Sequence, residues 1–298
     1  MLGRMIFLVA FLFMLTPVAN ADVQSGVKAF SAKDYKTAYT EFEAAAKPGD
    51  RDAQYWLGRL YDAGLGVEED ADKAFSWFEK AAQQQHAEAQ RVLGAYYEEG
   101  KSVRQNYEKA VEWYAESANQ GNAKAQRNLG GLYQDGLGVK PNLALAKDLY
   151  TKAATQGNLK AKRNLAYMYY FGAGVHRDYA RAAALFTETS VAGLGKGDYD
   201  LGRLYYRGQG VTKNLATAAK YFEKSAKSGH GDAQFLLGRF YLLGTGVSKN
   251  ASEAYYWLTL AASQDASAAQ KLIVKAKENL TASQIEDAEK RAMAFRPK

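Results

Sequence analysis

Three histidines, a glycine loop present in six copies and a series of arginines are the residues of this 298-residue chain whose types and spacing could do chemistry. A glycine pair ahead of a helix-like run, as in Gly64-Leu65-Gly66-Val67, lets backbone N–H groups approach an anion. Gly193-Leu-Gly-Lys-Gly197 looks like another phosphate-loop fragment, but it has no preceding strand and no following Lys-Ser/Thr. No H-E-x-x-H, G-x-S-x-G or G-x-x-x-x-G-K-[ST] pattern occurs. His86 and His230 have no second ligand at metal spacing and read as helix-start residues, while His176 reads as an exposed loop residue. With no cysteine there is no disulfide framework, thiolate metal site or lipoprotein anchor. The inventory points to no enzyme, no cofactor and no metal.

The elements that must position these residues come from a repeat. Gly64-Leu-Gly-Val recurs as Gly100-Lys-Ser-Val, Gly136-Leu-Gly-Val, Gly172-Ala-Gly-Val, Gly208-Gln-Gly-Val and Gly244-Thr-Gly-Val, every 36 residues without insertion or deletion. In the same phase run Leu57, Leu93, Leu129, Leu165, Leu201 and Leu237, then Tyr61 through Tyr241, and Ala74 through Ala254. Six copies extend over 50–265.

Leu57, Leu60 and Tyr61 share a face at i, i+3, i+4 and predict a first helix, A, over about 52–63. Ala74, Phe75, Phe78, Ala81 and Ala82 predict a second, B, over about 71–83. Asp70, Asn106, Asn142, Asp178, Asn214 and Asn250 stand ahead of B in one column, where each can cap the helix by accepting a backbone N–H. Helices of about a dozen residues cannot bury their apolar faces alone, so the copies must stack as a solenoid with covered ends. Residues 22–49 supply a degenerate unit at one end. Residues 266–298 supply capping helices at the other, the last opened by Thr281-Ala-Ser-Gln284 with capping-box spacing.

At the N-terminus, Arg4 precedes an apolar run from Met5 to Leu15 and Ala19-Asn20-Ala21 follows it. This predicts a signal peptide cleaved after Ala21, hence an exported, periplasmic or secreted protein that does not span the membrane. The composition, 47% hydrophobic and 24% charged, is that of a folded protein, and its formal charge of +7 reads as a mild basic excess spread along the chain. Such a balance favours acidic proteins, anionic lipid or anionic glycan as partners, and export argues against nucleic acid.

The pattern A-Q-x-x-L-G-x-x-Y-x-x-G-x-G-V followed by a capped x-x-A-x-x-W/Y-Y/F-x-x-A-A helix resembles the Sel1-like repeat (SLR) family of the tetratricopeptide-like superfamily. Ala89-Gln90, Leu93-Gly94, Tyr97, Asn106, Ala110, Trp113-Tyr114 and Ala118 carry the resemblance in the second copy. Ser102, Ala166 and Gly197 depart from it, implying an altered loop at Ser102 and a weakened helix start at Gly197. The resemblance implies an all-α solenoid of antiparallel helix pairs in a right-handed superhelix, used as an adaptor through a concave groove. Some secreted relatives are regulators or immunity proteins that neutralise an antibacterial effector.

In that frame, one column of helix A faces the groove with Tyr55, Arg91, Arg127, Arg163, Tyr199 and Phe235. A second presents Arg59, Tyr167, Arg203 and Arg239, with Tyr170 and Tyr206 one step further on. Arginines in successive copies would stand about 10 Å apart by helix packing distances. Flanked by tyrosines, they suit an acidic or extended segment of a protein partner. Alternatively they pair with neighbouring acids such as Glu88 or Asp62 and only solubilise the face. A cell-wall or glycan-binding role and a purely structural spacer stand as further readings.

Overall fold

The computed structural model describes residues 23–193, 195–264 and 267–297. The leader expected over residues 1–21 lies outside them. Among the described residues there are sixteen helices and no strand. None of these helices is long and apolar enough to cross a membrane. The chain divides into two compact units, one ending at Asn122 and the other beginning at Ala123.

The first unit holds α1 (Val23–Ser31), α2 (Tyr35–Ala46), α3 (Arg51–Ala63), α4 (Ala71–Gln83), α5 (Ala87–Glu99) and α6 (Tyr107–Asn119). The second holds α7 (Ala123–Asp135), α8 (Leu143–Thr155), α9 (Leu159–Phe171), α10 (Tyr179–Val191), α11 (Gly195–Arg207), α12 (Leu215–Lys227), α13 (Gly231–Leu243), α14 (Ala251–Ala262), α15 (Ser267–Lys277) and α16 (Ala282–Ala294). Within each unit successive helices pack on one another, the odd-numbered members from α3 to α13 being the A helices and the even-numbered from α4 to α14 the B helices. At the end of the second unit α16 packs on α14, and Thr281 and Gln284 make the capping box that starts it.

Side-chain size sets the pair geometry. A Cβ on Gly58 would lie 2.7 Å from the Phe78 ring, and one on Gly202 would lie 2.5 Å from Phe222. In α3, α5, α7 and α11 the A helix therefore rests its backbone on the large aromatic of its B helix, with Leu57 and Leu201 filling the core beside it, while in α13 Gly238 rests on Leu258. All six B-helix caps form: Asp70, Asn106, Asn142, Asp178, Asn214 and Asn250 each accept the N–H three residues on at 2.9–3.0 Å. Such a cap contributes about 1 kcal/mol.

Between helices, Gly64 ends α3 in the left-handed region at φ 61°. Gly66, at φ 73°, brings its α-carbon so close to Tyr35 that a Cβ would meet the Tyr35 carbonyl oxygen at 2.5 Å. Ser102 in the second copy keeps the glycine conformation, at φ 57°. The loop expected to be altered there thus retains its turn and carries backbone strain instead. Gly197 also differs from expectation. Thr189 and Ser190 stand where B helices otherwise hold Ala, Ser or, at Ala82, Ala again, and a Cβ on Gly197 would meet Thr189 Oγ1 at 2.3 Å. The missing methyl makes room for the threonine, so the glycine at this helix start is also a packing partner.

The Ala-Gln motif has a structural role. Gln54, Gln90 and Gln234 are buried and donate to the Ala46, Ala82 and Ala226 carbonyls at 3.2–3.4 Å, satisfying oxygens at the end of the preceding helix. Each also accepts from a later glutamine: Gln84 on Gln54 at 2.8 Å, Gln120 on Gln90 at 2.6 Å and Gln264 on Gln234 at 3.0 Å.

Candidate functional site

The glutamine clasp is replaced in the fourth and fifth copies by charge. Lys162 occupies the glutamine position of α9 and reaches Glu188 at 2.5 Å. Asp198 occupies it on α11, is fully buried, and accepts from Ser190 Oγ and from Lys224 Nζ at 3.0 Å. Two residues on, Asp200 is buried as well and is held by α9. Arg163 Nε donates to Asp200 Oδ2 at 2.9 Å, the Tyr167 hydroxyl donates to Oδ1 at 2.8 Å, and Arg163 Nη2 donates to that hydroxyl at 2.5 Å. Burial pushes the Asp200 carboxyl above its usual range, against the pull of Arg163. Burial and the Asp200 charge together raise the Tyr167 hydroxyl far above a free tyrosine.

A cavity of about 620 Å³ opens beside this triad, within the second unit. Arg127 of α7, Lys160, Arg163 and Asn164 of α9, Gly195 and Lys196 at the start of α11, and the Ser228-Gly229-His230 turn line it. The discounted Gly193–Gly197 fragment thus contributes backbone and a lysine to the cavity. No carboxylate lines it. Among the described residues Arg127, Lys160 and Lys196 have no acidic partner within ion-pair distance, and Lys160 and Lys196 are exposed.

The expected groove residues separate by environment. In the first unit, Tyr55 is buried, stacked on the His86 ring at 4.5 Å and accepting from Arg59 at 3.1 Å, while Arg91 pairs with Glu88 at 2.7 Å. Asp62 takes Tyr96 and Lys101 at 2.5 and 2.6 Å rather than an arginine. In the second unit, Tyr170 is buried and donates to Gln209 at 3.0 Å. Arg127, Tyr167, Tyr199, Arg203, Tyr206 and Phe235 are half-buried, and Arg239 is exposed. Arg203 lies over the Tyr199 and Tyr170 rings at 5.7 and 5.9 Å.

His86 and His230 are the helix-start residues of α5 and α13. His86 Nδ1 accepts from Ala89 N–H at 3.1 Å; His230 makes no such bond, and its buried Nδ1 has no partner. Each stacks on the tyrosine of the preceding A helix, and burial lowers the affinity of both rings for a proton. His176 is exposed on its loop, and no cluster of three metal-ligating side chains occurs among the described residues.

Charge divides with the units. Residues 1–122 contain 13 Lys+Arg against 18 Asp+Glu, a net −5, and residues 123–298 contain 26 against 14, a net +12. The basic excess is therefore not spread along the chain, as whole-chain composition implied, but confined to the second unit. Together with the buried Asp198 and Asp200, it is what column-by-column reading missed; counting charge copy by copy finds it.

The Sel1 repeat family model matches residues 51–86, 87–122, 123–158, 159–189, 196–230 and 231–265, leaving out the segment that ends against the cavity. A Sel1 repeat protein from Oxalobacter formigenes is similar in structure, with 33% identity and a TM-score of 0.77 over 82% of this chain and 97% of that one. Also similar is c5321, a protective antigen present in uropathogenic Escherichia coli strains displaying an SLR fold, with 25% identity and a TM-score of 0.55 over 92% and 83% of the two chains. A more distant likeness is the immunity protein Pa5087 from Pseudomonas aeruginosa, with 22% identity and a TM-score of 0.47 over 73% and 83%. No curated protein matches the sequence. The repeat matches and the first of these structures show that the chain belongs to the Sel1 repeat family, whose members are generally protein-interaction scaffolds.

Proposed function

We propose that this is an exported, non-enzymatic adaptor or regulator that binds a protein partner on the exposed side of its A helices. The observation that carries this reading is the set of half-buried and exposed arginine and aromatic side chains on the A helices, with half-buried Arg203, Tyr199, Tyr206 and Phe235 and exposed Arg239 in the second unit. Arginine and tyrosine on a rigid helical face are the residue types from which interface anchors are made. In the first unit Arg59 and Arg91 belong to the same columns. The alanine-terminated leader over residues 1–21 supports export.

Reversing Arg91, Arg127 and Arg163 together is a poor test, because a glutamate at 163 would face the buried Asp200 carboxylate. Arg59→Glu, Arg203→Glu and Arg239→Glu avoid that conflict. Affinity capture from an envelope extract, with photocrosslinking from positions 203 and 239, should give a protein partner that the triple variant loses. A set reversed on the B helices, Lys80→Glu, Lys147→Glu and Lys220→Glu, should keep it. Crosslinks confined to the B-helix side, or retention only by isolated cell wall, would contradict the reading. The captured protein's identity separates a regulator from an immunity protein.

A further inference from the structure

We propose that the cavity between α7, α9, α11 and the Ser228–His230 turn is the seat for a run of carboxylates on an acidic segment of the protein partner. This rests on the protein-binding reading above and adds to it the chemistry of the partner and the place where it docks.

The argument begins with unmatched charge. Four cationic side chains line the cavity, and only Arg163 is neutralised, by Asp200 beneath it. Arg127, Lys160 and Lys196 remain without acidic partners among the described residues. A concave site lined by one sign of charge concentrates its field and attracts the opposite sign.

A second cavity, of about 360 Å³, shows that this is not simply what a basic unit does everywhere. It has Lys227, Arg291 and Arg296 in its wall, but Glu223 and Glu253 as well. There Lys227 meets Glu223 at 2.6 Å and Arg291 meets Glu253 at 2.7 Å. Two of the three cations are matched inside that cavity, whereas three of the four in the first are left open.

Three further features suit a chain of carboxylates. Arg163 is fixed by two hydrogen bonds and Tyr167 by its bond to Asp200, so this wall is held in place before anything binds. Arg127 of α7, Lys160 of α9 and Lys196 of α11 all line the cavity, so three helices bring unmatched positive charge to one site. About 620 Å³ lies within the ~300–1,000 Å³ range of sites that enclose a ligand. The site therefore takes several acidic side chains at once, with the guanidinium of Arg127 available for a two-point carboxylate contact.

The probe is a fluorescein-labelled deca-glutamate peptide, titrated by anisotropy against the full mature chain at ionic strengths of about 0.05 and 0.15 M. The test variant is Arg127→Glu with Lys160→Glu and Lys196→Glu. Its charge-matched control is Lys213→Glu with Lys220→Glu and Lys249→Glu, all exposed and outside the cavity. Thermal melts check folding, and the glutamine triple at 127, 160 and 196 serves as a milder substitute.

Expected is saturable binding that weakens with salt, a loss of tenfold or more in the cavity variant, and a smaller change in the control. Equal losses in both variants would mean that the peptide reads only the unit's overall charge, and would overturn the proposal. Absence of binding would overturn it too. So would a sulfated polysaccharide that displaces the peptide and depends more strongly than the peptide on the same three side chains. If the peptide fails while the Arg59, Arg203 and Arg239 variant still loses its captured partner, the protein-binding reading stands and this inference falls alone.

Discussion

In the first unit a carboxylate, a tyrosine and a cation meet where Asp62 of α3 accepts from Tyr96 of α5 and from Lys101. In the second the same three chemistries meet where Asp200 of α11 is held by Tyr167 and Arg163 of α9. The first aspartate is half-buried and the second buried. Likewise Gln90 and Gln120 clasp each other in the first unit, while the equivalent α11 position holds Asp198, bound to Ser190 and Lys224. The repeat fixes where a polar group must be satisfied and leaves open which chemistry satisfies it. In the second unit that freedom places acids beneath the surface, and cations remain unmatched above them.

If the units share their packing and differ only in charge, core substitutions should hurt them alike. Gly94→Val and Gly202→Val would drive a side chain into Tyr114 and Phe222, where even a Cβ would stand 2.5 Å away. Each should cost about 2–3 kcal/mol in urea unfolding. A large inequality would break the comparison.

Asp198→Ala and Gln90→Ala should differ. The first leaves Ser190 Oγ without its acceptor and Lys224 without its carboxylate. Hydrogen bonds to charged groups are the stronger kind, so a loss of about 1.5–3 kcal/mol is expected for Asp198→Ala against about 1 kcal/mol for Gln90→Ala. Equal losses would mean that charge adds nothing at the α11 position.

Smaller effects sharpen the account. Ser102→Gly should stabilise the first unit by about 0.5–1 kcal/mol, because it removes a side chain from the left-handed region at some cost in chain entropy. Gly246→Ser in the second unit should destabilise, since a Cβ there would meet the Leu215 carbonyl oxygen at 2.2 Å. Thermal melts of the two variants should move in opposite directions.

The smallest effect concerns pH. Burial lowers the folded-state pKa of His86 and His230 below the unfolded value of 6.5. Stability from these rings is therefore present above pH 6.5 and lost as pH falls through their folded values. At His230 burial outweighs the opposing pull of Asp232 and Asp200, so His230→Asn should flatten the acid limb of the melting curve. His86→Asn should act in the same direction, since burial there outweighs Asp52, 3.5 Å from its Nε2.

The repeat, the helix boundaries, the six caps and the glycine turns were legible in sequence because each depends on residues only a few positions apart. His86 and His230 read correctly as helix starts for the same reason. Contacts between copies were not legible. Asp200 meets Arg163 across 37 residues and Lys224 meets Ser190 across 34, and neither partner breaks the repeat pattern by itself. Burial of Tyr55 and Tyr170 follows from stacking against a neighbouring copy's helix start and from the Gln209 turn, which the column position alone does not reveal. The charge division was present in the sequence but had meaning only once the chain divided at Asn122.

The central claim is that a protein partner docks on the A-helix side of the second unit. Hydrogen exchange of the protein, free and saturated with its captured partner, tests it most directly. The account predicts new protection in α9, α11 and α13 and in the Ser228–His230 turn, with α8, α10 and α12 little changed and any protection in the first unit smaller and confined to α3 and α5. Protection centred on those B helices, or on residues 23–122, would contradict it.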